Sequence, residues 1–154
     1  MNHNIYLAVI EVTNGCNLSC KHCYGEFNGH KTLGEDEFCF IVKKLKTEGL
    51  ETIHITGGEP LILKDGLLKY LKIANQYGVN DVRLLTNGLM ISEMSDSFFD
   101  SWSRIQISLD GLKQNHDYIR GNGNFDRAWS GVRKLKTLNK QIDIMFTINS
   151  INFD

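Results

Sequence analysis

Three of the four cysteines lie within eight residues, Cys16-Asn17-Leu18-Ser19-Cys20-Lys21-His22-Cys23, spaced C-x3-C-x2-C. Three soft thiolates on one short loop can reach one metal centre. A [4Fe–4S] cluster normally takes four cysteine thiolates, so this loop leaves it one protein ligand short. Metal sites with an open position are the ones that do chemistry. The rival reading is zinc, held by Cys16, Cys20 and Cys23 with His22 or Cys39 as the fourth ligand. His22 adjoins Cys23, which is awkward for tetrahedral chelation by both, and no second ligand hook exists. Spacing alone leaves both metals open. Cys39 sits inside a helical pattern and reads as a small buried hydrophobe.

Four further stretches could line a ligand site. Gly57-Gly58-Glu59-Pro60 combines glycines, which let backbone approach a ligand closely, with an acid suited to an ammonium group. Thr86-Asn87-Gly88 and Ser108-Leu109-Asp110-Gly111 follow, then His116-Asp117-Tyr118-Ile119-Arg120-Gly121. Ser108 and Asp110 are two apart on a strand pattern, so they share a face, and hydroxyl plus carboxylate suits a sugar diol. Arg120 suits a carboxylate. Each stretch alone has a bland reading as turn chemistry. Together they recur at successive strand ends.

The elements that must position them alternate. Strands are expected at 5–12, 51–57, 81–87, 103–109 and 141–149, and helices at 33–48, 65–77, 92–101 and 124–139. That order implies βαβ crossovers and a parallel sheet. Thr32-x-x-Glu35 reads as a capping box, and Gly49 and Gly78 follow helix ends. Buried stripes are expected from Phe38, Ile41, Val42 and Leu45, from Leu67, Leu68, Leu71 and Ala74, and from Phe125, Ala128, Trp129, Val132 and Leu135.

One strand face is apolar (Ile53, Ile55, Ile105, Ile107, Leu109, Ile142, Ile144, Phe146, Ile148). The other carries Glu11, Thr13, His54, Thr56, Thr86, Gln106, Ser108, Asp110, Thr147 and Asn149. A closed barrel would fill its interior with branched apolar residues, and a flat doubly wound sheet would bury both faces. A polar face therefore predicts an α/β fold built as a partial (βα) barrel, open on one side, with its ligand at the C-terminal strand ends. His54 reads equally as a satisfied interior histidine or a substrate contact.

The 154 residues make one domain with room for a real core, and the formal net charge of −1 argues against nucleic acid or an anionic membrane as partner. The Lys43-Lys44-x-Lys46 and Arg133-Lys134-x-Lys136 clusters read as solvated helix faces. The N-terminus has no signal-peptide pattern, and no apolar run has transmembrane length. A cytoplasmic location is expected, where cysteines read as metal-binding rather than as a disulfide framework.

In order along the chain, C-x3-C-x2-C, G-G-E-P, T-N-G and S-L-D-G resemble the radical S-adenosylmethionine (radical SAM) superfamily. The run from His116 to Gly121, with Phe125-Asp126 after it, is similar to the SPASM-type branch that matures peptides and proteins. The resemblance implies a [4Fe–4S] cluster on Cys16, Cys20 and Cys23, with S-adenosylmethionine completing the open iron. It implies that His22 lies near the adenine, in a place where the family usually has an aromatic residue. Gly57, Gly58 and Glu59 would receive the methionine ammonium group. Ser108 and Asp110 would contact the ribose or the methionine carboxylate, Arg120 would steady that carboxylate, and Asn87 would stand on the cleft wall.

The implied activity is reductive cleavage of S-adenosylmethionine to a 5′-deoxyadenosyl radical that takes hydrogen from a peptide or protein substrate. The electron would come from a small flavodoxin- or ferredoxin-like protein. Two other readings stand beside it: a radical SAM enzyme of cofactor biosynthesis, and a non-catalytic metal-binding scaffold. Against the family's usual six βα units, residues 1–154 read as a single core domain that is C-terminally incomplete. The final βα segment and any auxiliary-cluster domain would be lacking, leaving an edge strand prone to self-association.

Overall fold

A computed structural model describes residues 5–25, 27 and 29–153. The first four residues, on which the targeting reading partly rests, lie outside them. Five parallel strands form one sheet in chain order: β1 (Leu7–Glu11), β2 (Thr52–Thr56), β3 (Asp81–Thr86), β4 (Arg104–Ser108) and β5 (Ile142–Met145). The register pairs Glu11 with Thr56, Thr86 with Ile107 and Ser108 with Met145, so the C-terminal strand ends form one continuous rim. Four α-helices are described: α1 (Glu35–Thr47) between β1 and β2, α2 (Leu67–Gln76) between β2 and β3, and α3 (Lys113–Arg120) with α4 (Asn124–Thr137) between β4 and β5, while 3-10 turns alone join β3 to β4. The fold is the expected α/β sheet, open on one side. Among the described residues, no helix is long and apolar enough to cross a membrane.

The core lies between one sheet face and the helices. Ile53, Ile55, Val82, Leu84, Ile105 and Ile107 are buried there against Phe38 and Val42 of α1, Leu67, Leu71 and Ala74 of α2, and Val132 and Leu135 of α4. Each of these side chains other than Ala74 contributes about 1.5–3 kcal/mol by leaving water. The opposite face is polar. Asp81 accepts from Arg83, Thr52 and Ser103, and Arg104 pairs with Asp143 at 2.7 Å.

Several expectations are corrected. The first helix starts at Glu35, capped by Gly34, whose N–H donates to the Glu37 carboxylate at 2.8 Å. Thr32 is instead drawn into a β-bridge with Thr13, so its backbone cannot open a helix. Residues 92–101 are not one α-helix but two 3-10 turns, Ile91–Glu93 and Asp96–Ser101. The tighter path lets the consecutive Phe98 and Phe99 both reach the core, together with Ile91 and Trp102. Thr86 points into the core side rather than the polar face. β5 ends at Met145 rather than at 149; Ile144 on this edge strand is exposed, and so are Phe146 and Ile148 beyond its end. Trp129 is 42% exposed and stacks on Phe125.

Helix α3 has no apolar stripe and was not expected. Its buried face is only His116 and Ile119, one turn apart, with the His116 ring edge-on to Phe125. The short connection to α4 is fixed by Asp117, which accepts from the backbone N–H of Phe125 (2.8 Å) and Gly123 (3.1 Å). Burial works to raise the Asp117 pKa, but these donors outweigh it and hold the carboxyl below its ordinary value. A carboxyl depressed by folding stabilises above its unfolded pKa and loses that contribution on acidification. Replacing Asp117 by alanine should therefore cost about 1 kcal/mol in urea unfolding at neutral pH. The difference from wild type should shrink as the pH falls below about 4.

Exposed apolar side chains lie on both sheet edges, Leu7 and Val9 on β1 and Ile144 and Met145 on β5, besides others on the helices such as Phe40 and Tyr118. Unpaired edges of this kind favour strand pairing between copies. Light scattering across a dilution series should show an apparent mass that rises with concentration. A monomer mass throughout would contradict this.

Candidate active site

The cysteine loop leaves β1 at the sheet rim and is held mainly by backbone. Gly58 N–H donates to the Thr13 carbonyl (2.9 Å) and Glu59 N–H to the Gly15 carbonyl (2.8 Å). This approach explains the two glycines. A Cβ on Gly57 would lie 2.3 Å from the Thr13 oxygen, and one on Gly58 would lie 2.2 Å from the Gly15 oxygen and 2.9 Å from the Cys16 Cβ. On the other side of the loop, Lys21 N–H donates to the Ile119 carbonyl of α3 at 2.9 Å. The Lys21 ammonium lies 3.1 Å over the Tyr118 ring, a cation–π contact that adds to this brace.

The loop closes one side of a cavity of about 370 Å³. Cys16, Cys20, His22, Cys23, Gly57, Gly58, Asn87, Ser108 and Arg120 all line it, bringing together nearly all the candidate residues from four strand ends and α3. All four cysteines are free thiols. Burial pushes the Cys16 and Cys20 thiols up, while Arg120 pulls Cys20 back down.

Two expected contacts, Glu59 and Asp110, do not line the cavity. Both are fully buried, with their oxygens taken by protein donors. Glu59 accepts from Thr86 Oγ1 (2.7 Å) and Leu61 N–H (3.0 Å) on one oxygen and from Asn87 N–H (2.7 Å) on the other. Burial pushes its pKa up, against these donors and Arg120, which lower it. Asp110 accepts from Arg120 Nε (2.5 Å) and Thr147 N–H (3.2 Å), and His22 Nε2 lies 3.5 Å away. Burial lowers the His22 pKa, opposed by Asp110. His54 is on the polar face below the cavity but does not line it, and its Nε2 has no partner among the described residues. Cys39 lies away from the cavity with its sulfur 3.2 Å from the Tyr77 hydroxyl.

Other residues of the site carried no local signal. Asn17 accepts from Asn87 Nδ2 at 2.8 Å, tying the cysteine loop to the end of β3 across 70 positions of sequence. Asn152 donates to the Asp110 carbonyl at 3.3 Å from beyond β5. Leu18, Tyr24, Phe27, Leu85 and Met145 also line the cavity, as do Thr56, Thr86, Gln106 and Thr147 of the expected polar strand positions. Of the first five, only Tyr24 and Leu18, close to the cysteines, could have been suspected from position.

The matching family model is that of the radical SAM superfamily, and it aligns with residues 10–154. The chain belongs to this superfamily. It is 30% identical over 150 residues to the sporulation killing factor maturation protein SkfB of Bacillus subtilis, covering 94% of this chain and 36% of SkfB. It is 34% identical over 142 residues to a GTP 3′,8-cyclase of Desulforamulus reducens, covering 86% of this chain and 43% of that enzyme. The chain thus spans less than half the length of these relatives. Among solved structures, it superposes on Streptococcus suis SuiB bound to the precursor peptide SuiA with a TM-score of 0.77. That match has 19% identity and covers 94% of this chain and 33% of SuiB. The structure of anSMEcpe with bound AdoMet and Cp18Cys peptide gives a TM-score of 0.71 and 20% identity, over 90% of this chain and 41% of that one. These likenesses establish a shared fold.

The residues present fit the cofactors that the superfamily implies. Cys16, Cys20 and Cys23 are free thiols lining one cavity, and among the described residues no group of three such ligands is gathered as a single-ion site; thiolates are the ligands an iron–sulfur cluster takes. Two buried polar atoms on cavity-lining residues, His22 Nδ1 and Gln106 Oε1, have no partner among the described residues, as expected where a polar ligand belongs.

Because Glu59 serves three protein donors, its loss should be felt as stability. Glutamine at position 59 would turn an N–H₂ group towards at least one N–H or O–H donor. Urea unfolding should show a loss of about 1–3 kcal/mol. An unchanged midpoint would contradict the role of the carboxylate as a tie between β2 and β3.

Proposed function

We propose that residues 1–154 form a single radical SAM core domain that binds a [4Fe–4S] cluster and S-adenosylmethionine and acts on a peptide or protein. The observation that carries this reading is the meeting of three free thiols, the Gly57-Gly58 backbone and Arg120 around one cavity at the sheet rim. When bound, the cluster supplies the electron that cleaves the S-adenosylmethionine sulfonium. The chain's own residues bind, orient and exclude water.

In this reading, Cys16, Cys20 and Cys23 hold the cluster. The Gly57-Gly58 backbone and Asn87 receive the amino-acid end of S-adenosylmethionine, with Arg120 at its carboxylate. Ser108 meets the ribose, and His22 lies at the adenine. The partly exposed cysteine loop, with Cys23 at the surface, offers an approach to a flavodoxin- or ferredoxin-like electron donor.

A peptide substrate is favoured by the likeness to SkfB. The cyclase relatives support a second reading, cofactor biosynthesis on a nucleoside triphosphate.

Anaerobic reconstitution should load about four irons per chain. With a strong reductant and S-adenosylmethionine, the protein should release 5′-deoxyadenosine. Alanine at Cys16, Cys20 or Cys23 should abolish both iron loading and cleavage. Zinc uptake without iron–sulfur absorption would overturn the reading in favour of a scaffold. Deuterium passing into 5′-deoxyadenosine from a labelled GTP rather than from a labelled peptide would favour the second reading.

A further inference from the structure

Asp110 links the end of β4 to α3, to the cysteine loop and to the segment after β5. It is fully buried, yet it faces a guanidinium, an imidazole and a backbone N–H from three different parts of the chain. Its Oδ2 accepts from Arg120 Nε at 2.5 Å and lies 3.5 Å from His22 Nε2. Its Oδ1 accepts from Thr147 N–H at 3.2 Å. Its own backbone N–H donates to His116 Nδ1 at 3.2 Å, and its carbonyl accepts from Asn152 Nδ2 at 3.3 Å. Both carboxylate oxygens are therefore engaged by protein, and the side chain is absent from the cavity wall that Arg120 lines.

Arg120 is in the opposite situation. Its side chain is 10% exposed. Its Nε is taken by Asp110, and one terminal nitrogen lies 3.4 Å from His22 Nε2. A guanidinium has five N–H donors in a rigid plane. With the Nε side fixed by a carboxylate, the orientation of the whole plane is set, and the residue it belongs to lines the cavity. A buried carboxylate in this place also compensates the guanidinium charge, which would otherwise be costly to hold away from water.

We propose that Asp110 is a positioning residue: it aims Arg120 at a carboxylate of the bound ligand and draws His22 of the cysteine loop into the same network, without touching the ligand. This rests on the reading of the cavity as the S-adenosylmethionine site. It separates Asp110 from Ser108, its strand-end neighbour, which does line the cavity.

The test is equilibrium binding of two nucleosides to the reconstituted protein: S-adenosylmethionine, and 5′-methylthioadenosine, which keeps the adenosine end but lacks the amino-acid end. Asp110→Asn preserves volume and removes the charge. It should weaken S-adenosylmethionine binding by about tenfold or more, the order expected for a misaligned charge-assisted pair. Methylthioadenosine binding should change by less than about threefold, which corresponds to well under 1 kcal/mol. Arg120→Lys keeps a cation but lacks the Nε donor and the plane. It should give the same split, and the double variant should be no weaker than Arg120→Lys alone, since the two act as one unit.

Equal weakening of both ligands in Asp110→Asn would mean a general structural role and overturn the proposal, as would wild-type affinity for S-adenosylmethionine. If Asp110→Asn does not fold, Arg120→Lys must still show the split, and its absence overturns the proposal. Failure of the wild-type protein to bind either nucleoside would instead overturn the reading of the cavity on which the proposal rests.

Discussion

The site depends on how closely two stretches of backbone can approach. The cysteine loop has no regular secondary structure of its own, and its first turn is pinned by N–H groups of Gly58 and Glu59 to the carbonyls of Thr13 and Gly15. Side chains on Gly57 or Gly58 would have to share space with those carbonyls. The glycines thus act first on the protein, by letting the end of β2 serve as the floor of the loop, and only through that on a ligand. A loop held by backbone keeps its shape whichever side chains it displays, so its thiols remain free to serve as ligands.

Two buried carboxylates extend this scaffold along the rim. Glu59 joins the end of β2 to the end of β3 through Thr86 and Asn87, and Asn87 in turn reaches Asn17 of the cysteine loop. Asp110 joins the end of β4 to α3, to the cysteine loop and to the segment after β5. A buried charge is tolerated only where donors surround it, and each of these has them. Burial and function are divided between neighbours: the carboxylates go inward and organise, while Gly58, Asn87, Ser108 and Arg120 are left at the cavity wall. The same division holds across the sheet, where aliphatic side chains pack beneath the helices and paired charges occupy the other face.

Much of this was legible in the chain. The five strands, three of the four helices and the gathering of the strand-end motifs at one rim followed from apolar periodicity and turn residues, because βα units repeat a simple pattern. Helix α3 was not legible, since its buried face is His116 and Ile119 and its N-terminal turns are polar. The segment 92–101 misled for the reverse reason: its apolar residues suit a helix, but Phe98 and Phe99 both go inward and require a tighter path. Thr32 looked like a cap because the β-bridge that claims it comes from Thr13, 19 residues earlier.

The sequence by itself determined which residues can do chemistry and in what order they meet the rim: three thiols at the end of β1, then polar and glycine-rich turns after β2, β3 and β4. Those are local properties of residue type and spacing. Which of the acids face the cavity was decided only by the tertiary structure. Glu59 and Asp110 sit in motifs that read as ligand contacts, yet each is turned away by donors supplied from distant elements, Thr86 and Asn87 in one case and Arg120 and Thr147 in the other. A carboxylate goes where its hydrogen bonds are, and those partners are brought together only by the fold.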